Sequence, residues 1–123
     1  MLKKLGMRNL LSCALLFGAT NAMATSIVKG QVEFIRTHDA MAHPMWAPPR
    51  FWFTLKGVTQ AGTCPKWVSG TVMFVANDKQ ALITVMTAQA TGQEIAVAFD
   101  DTVLTNANCT VQYLTIGNPA PVN

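Results

Sequence analysis

The sequence predicts a small, mostly β domain with five strands, a single helix between the third and fourth, and one disulfide. Three observations predict it. Apolar and polar residues alternate with period two in five short segments. One stretch, beginning near Lys79, carries helical spacing behind a capping signal. Two cysteines, Cys64 and Cys109, remain once an N-terminal leader is set aside.

The leader comes first along the chain. Lys3, Lys4 and Arg8 give a charged opening, Leu10 to Ala19 is apolar, and Ala22-Met23-Ala24 is a small-x-small cleavage pattern. That order is a secretory signal peptide over residues 1–24. A membrane anchor is disfavoured, because the apolar run is roughly half the ~20 residues that span a bilayer. Leu10-Leu11-Ser12-Cys13 loosely matches a lipoprotein box, but the apolar core of the signal lies after the cysteine instead of before it. The chain is expected to be exported to the periplasm or beyond, with residues 25–123 as one domain.

Ile27 to Arg36 reads as the first strand, with Val28, Val32 and Phe34 on one parity and Lys29, Gln31 and Glu33 on the other. Gly30 suggests a bulge or sharp bend within it. Thr37 to Pro49 is a loop, since Pro44, Pro48 and Pro49 bar regular structure. Arg50 to Lys56 is the second strand, Phe51, Phe53 and Leu55 facing one way and Trp52, Thr54 and Lys56 the other. Gly57 to Ser69 is a long connection, and Gly70 to Ala76 the third strand, with Val72 and Phe74 inward.

The helix follows. Asn77 is the expected cap, with Gln80 completing a capping box. Leu82, Val85, Met86 and Gln89 or Ala90 form its apolar face, and Gly92 stops it. Gln93 to Asp100 is the fourth strand, with Ile95, Val97 and Phe99 opposite Glu94, Ala96 and Ala98. Thr102 to Asn108 reads as a polar loop, Cys109 to Ile116 as the fifth strand, and Asn118 to Asn123 as a flexible tail. Five strands with one helix after the third is the element order of an OB-fold barrel. A two-layer α+β sheet is the alternative.

Removing the leader changes the charge. Lys29, Arg36, Arg50, Lys56, Lys66 and Lys79 then balance Glu33, Asp39, Asp78, Glu94, Asp100 and Asp101, so the formal +3 disappears. A neutral domain has no positive field to draw nucleic acid or an anionic membrane surface, and neither is an expected partner. In an oxidising compartment the two remaining cysteines are expected to pair. Such a bridge contributes ~3–4 kcal/mol by loop-closure entropy. Free or metal-binding cysteines are the alternative, though no second pair of ligands stands at zinc spacing.

Few residues could carry chemistry. His38, Asp39 and His43 form one cluster, since a histidine oriented by a carboxylate is a common base or metal ligand. The simpler reading is a polar loop, and no metal or cofactor is assigned. Asp100 and Asp101, as neighbours on a strand, point to opposite faces and are expected to end the strand. Trp46, Trp52 and Trp67 are candidate contact residues, because indole offers large area at low entropy cost. They and His38 and Asp39 make up the expected ligand surface. Met41, Met45, Met73 and Met86 read as gap fillers. No catalytic residue is assigned, and the chain is expected not to be an enzyme.

The stretch from Lys79 through Ile116 resembles the subtilase cytotoxin B-subunit-like proteins, small secreted bacterial OB-folds. The resemblance rests on Lys79-Gln80-Ala81-Leu82 through Ala90, on Thr91-Gly92-Gln93, on the alternating strand after it and on a late cysteine. Gly30-Gln31-Val32 and Phe51-Trp52-Phe53 with Cys64 are looser echoes. It implies a non-catalytic binding subunit that recognises glycans, a pentameric ring and a partner chain. No binding residue of that family matches one by one. The alternative is a periplasmic accessory or inhibitor protein that binds another protein. A third reading, a small hydrolase or metalloprotein, would use His38, Asp39 and His43.

Overall fold

In the computed structural model, which describes residues 25–117, the five strands form one sheet that closes on itself in the order β1-β2-β3-β5-β4. They are β1 (Ser26–Arg36), β2 (Phe51–Leu55), β3 (Met73–Ala76), β4 (Glu94–Thr105) and β5 (Asn108–Ile116), with α1 (Lys79–Thr91) between β3 and β4. The expected leader and tail lie outside the described residues. Among the described residues, no helix is long and apolar enough to cross a membrane.

The long first strand pairs with β4 through Ser26–Gln31 and with β2 through Val32–Arg36. All pairings are antiparallel except β3 with β5, which meet in parallel at Phe74↔Cys109 and Val75↔Thr110. That closing seam is short. Beside it, Cys64 and Cys109 form the expected disulfide, with a Cα–Cα distance of 5.6 Å.

The interior follows from strand parity. Phe51, Phe53, Leu55, Val72, Phe74, Ile95, Val97 and Phe99 all point into the ring and are fully or almost fully buried. Burying such a side chain is worth about 1.5–3 kcal/mol. Val85 and Ala88 of α1 close the same core, and Ala81 and Leu82 pack on its margin.

Several expectations need correction. Gly30 is not the bulge. Its backbone passes Leu55 so closely that a Cβ would sit 3.2 Å from the Leu55 Cβ. The register shift falls between Val32 and Ile35, so Ile35 packs toward the core and Phe34, expected inside, is 43% exposed.

Asp78, not Asn77, caps α1, its carboxylate accepting from the Ala81 N–H at 3.3 Å. Asn77 instead accepts from Arg50 Nε at 2.7 Å. The helix stripe is rotated by about one position, so Ala88 is buried and Met86 exposed. Gly92 does end the helix, at φ 72°.

The polar loop expected at Thr102–Asn108 is largely strand. β4 continues to Thr105 and turns on Asn106 and Ala107, both at positive φ. That is the backbone a two-residue hairpin requires, here built without glycine.

Candidate functional site

Two adjoining features on one side of the ring bring the predicted residues together. The first is an aromatic layer on the outer face of β1, β2 and β3. With Phe51 and Phe53 pointing inward, parity sends Trp52 outward, and Met73 and Val75 of β3 face the same way. The bulge in β1 adds Phe34 to this face, and Arg36 lies beside Trp52 in register.

Trp67 is delivered to the layer by the β2–β3 connection. Its N–H donates to the Thr71 carbonyl at 2.9 Å, and Gly70 N–H donates back to the Trp67 carbonyl at 2.9 Å. Thr71 and Thr54 both donate hydroxyl hydrogen bonds to Glu33 Oε1, at 2.9 and 3.0 Å. That carboxylate ties the connection to β1 and β2.

Trp52 and Trp67 then meet at 4.8 Å between ring centroids, and Phe34 sets its edge to Trp67 at 5.5 Å. The Arg36 guanidinium carbon lies 5.1 Å from the Trp52 ring and 5.4 Å from the Trp67 ring. Both distances are within cation–π range. The expectation that Trp52 offers a free contact face is corrected. It does point away from the core, but Trp46, Trp67 and Arg36 cover it until 3% remains exposed.

The β1–β2 loop, residues 37–50, carries the other predicted residues. Asp39 folds it: one carboxylate oxygen accepts from the Met41 and Ala42 N–H groups at 2.8 and 2.9 Å. These bonds hold the Asp39 carboxyl below its usual pKa. The carboxylate therefore shapes the turn, not a histidine tautomer.

Pro44–Trp46 forms one 3₁₀ turn, which sets Trp46 against the aromatic layer. His38 stacks on Trp46 at 5.5 Å with planes 26° apart, and His43 meets His38 edge-on at 5.1 Å. His38 Nδ1 is buried without a hydrogen-bond partner. Burial lowers the His38 pKa, with the positive charges of His43 and Arg36 adding to the effect.

The second feature is a cleft of about 670 Å³ between this loop and the N-terminal end of α1. Pro48, Pro49 and Leu82 give it apolar walls, while His38, Arg50, Asn77 and Lys79 supply polar edges. Arg50 is fixed there. It donates to Asn77 Oδ1 and, through Nη1, to the Met45 carbonyl at 2.7 Å. Asn106 Nδ2, from the β4–β5 turn, donates to the same carbonyl at 2.8 Å.

The structure thus gathers Trp46, Trp52, Trp67 and His38 into one contiguous aromatic cluster, with Asp39 shaping the loop beside it. Sequence reasoning missed Phe34 and Arg36, which the bulge brings to this face, and the cleft-lining Arg50 and Lys79. A basic residue directly after the Pro48-Pro49 pair is the signal that could have found Arg50.

Asp100 and Asp101 stand apart from this region, inside β4 and not at its end as expected. Asp100 accepts from the Thr102 hydroxyl and N–H at 2.6 and 2.9 Å, and Asp101 from the Thr63 N–H at 2.9 Å. Each carboxylate is committed to the N–H and hydroxyl of its own threonine. Among the described residues, no group of three or more His, Cys, Asp or Glu side chains is placed to hold a metal ion. Comparison with family models, with curated proteins and with solved structures finds no match to this chain.

Proposed function

We propose that this chain is an exported, non-catalytic recognition module of OB-fold type whose ligand is a glycan. The cleft beside the β1–β2 loop carries the reading. Concave sites with apolar walls and a few converging polar groups are the usual form of a small-ligand pocket. Here Pro48, Pro49 and Leu82 suit the C–H faces of a sugar, and Arg50, Asn77, Lys79 and His38 suit its oxygens.

The strand order supports the same reading. OB-folds bind oligosaccharides and oligonucleotides on strands 2 and 3 and on the β1–β2 and β4–β5 loops. Those two loops meet in this protein at the Met45 carbonyl. The neutral charge of residues 25–123 turns the choice from nucleic acid to sugar. The resemblance to subtilase cytotoxin B-subunit-like proteins adds export and a ring of copies to the proposal.

A glycan array probed with labelled protein tests it. Hits are expected, and Lys79→Glu at the cleft rim should weaken them while the melting temperature stays put. An empty array, or hits indifferent to the cleft substitution, would refute it.

A second reading, a module that binds another protein, draws on Ile83 and Met86, apolar residues one turn apart and exposed on α1. Light scattering together with recovery of a stoichiometric partner from the native source separates the two. A partner whose binding is lost on Ile83→Lys would favour the second.

A further inference from the structure

We propose that the β1–β2 loop is a binding site for a soft monovalent cation, Cu(I) or Ag(I), held by the imidazoles of His38 and His43 and the thioethers of Met41 and Met45. The proposal does not rest on the glycan reading, although His38 borders both sites.

The methionines are the first observation. Met is ordinarily a filler of irregular core gaps, and Met73 does that here. Met41 and Met45 do the opposite, at 91% and 65% exposed. Both stand on the short loop that also carries both histidines of the chain, in the run His38-Asp39-Ala40-Met41-Ala42-His43-Pro44-Met45-Trp46. Packing does not explain two bare thioethers on a loop whose backbone is so closely tied.

The histidine geometry is the second. The Asp39 turn and the His43 N–H bond to the Asp39 carbonyl at 3.0 Å fold the loop back on itself. That brings the two imidazoles to 5.1 Å between centroids. A metal-bound imidazole nitrogen lies roughly 2.0–2.1 Å from its ion, so two that share one ion are ~4 Å apart. Rings at the observed spacing can offer nitrogens at that separation. His38 Nδ1 has no hydrogen-bond partner to lose.

The type of ion follows from the ligands. Thioether and imidazole are soft to borderline donors, the set that selects Cu(I), whereas carboxylate and carbonyl oxygens suit Mg, Ca and Mn. The one nearby carboxylate, Asp39, is engaged by two backbone N–H groups. The two thioethers carry no charge, and Arg36 contributes positive charge close to His38. A single positive charge is tolerated there better than two. Cys64 and Cys109 are bridged and supply no competing thiolate.

Titration of silver nitrate into the full chain in chloride-free buffer tests the site. Cys13→Ser removes the one cysteine outside the disulfide. Calorimetry should show one Ag(I) per chain, and NMR should show the Met41 and Met45 methyl signals moving while Met73 stays still. Met41→Leu with Met45→Leu keeps volume at exposed positions, so the fold and the metal-free melting temperature should be unchanged. Affinity should fall roughly tenfold or more, because the soft donors are gone. Absence of saturable binding, binding indifferent to the two leucines, or Zn(II) held as tightly as Ag(I) would each overturn the proposal.

Discussion

Replacing both Cys64 and Cys109 by alanine should strongly destabilise this protein, and should do so at one place. The sequence separation is 45 residues, so the bridge closes a loop whose entropy in the unfolded chain is worth about 4 kcal/mol. Alanine avoids burying a lone hydroxyl where Cys109 is fully enclosed. For a domain of this size, 1 kcal/mol moves the melting temperature by about 4–8 °C, so a fall of roughly 15–30 °C is expected.

The location matters as much as the size. The bridge stands beside the two-pair β3–β5 seam, the shortest contact in the ring. Urea denaturation gives the free energy, and native-state hydrogen exchange gives its distribution. Amides of Phe74, Val75 and Thr110 should lose protection before those of β1 and β4. A loss below about 1 kcal/mol, or an even loosening of all five strands, would refute the argument that the cross-link secures the seam.

Other expectations follow from single contacts. Gly62 sits at φ 54°, where an added Cβ would run into the Asp101 carboxylate. Gly62→Ala should therefore cost more than the ~1 kcal/mol of left-handed backbone strain alone, read by urea denaturation. Asp101→Ala in the same chain should recover part of that cost. Asp78→Ala removes the helix cap and should cost about 0.5–2 kcal/mol, whereas Asn77→Ala should leave helix stability nearly unchanged. Circular dichroism on heating distinguishes them. Trp52→Ala should cost about 3–5 kcal/mol, as for a core tryptophan and not a surface one.

Acid should act on the β1–β2 loop first. His38 has a folded pKa below its unfolded value. The unfolded loop therefore binds its proton more readily, and stability is full above pH ~6.5 and lost as pH falls toward the lower folded value. Asp39 and Asp100 are likewise depressed. Their contribution is present above pH ~4 and lost only in stronger acid. NMR titration of His38 against loop amide exchange checks the order.

Much of the interior was legible because period-two alternation is a strong signal wherever one face must be dry. Phe51, Phe53, Leu55, Val72, Phe74, Ile95, Val97 and Phe99 are all where alternation places them. The cysteine pair was legible from the even count left when the expected leader is set aside. The β1 bulge was not, because no residue type marks it, and Phe34 and Ile35 are both apolar. The β4 extension was hidden by the polar run from Asp100 to Asn108, which reads as a loop until the Asp100–Thr102 bonds and the Asn106 turn are seen.

At the site, sequence proximity made the His38–Trp46 neighbourhood visible. The covering of Trp52 depends on Trp67, brought from a separate connection through Glu33 and Thr71, which no local pattern encodes.

The one-residue slip in β1 has a consequence for what the outer face can carry. Because the register breaks between Val32 and Ile35, that stretch holds one residue more than the strand it faces. With Val32↔Leu55 and Ile35↔Phe53 both kept, deleting Glu33 would restore plain alternation and leave Phe34 facing outward, while removing the carboxylate that binds Thr54 and Thr71. The extra residue thus lets the outer face carry both Phe34, which packs on Trp67, and Glu33, which anchors the connection that delivers Trp67.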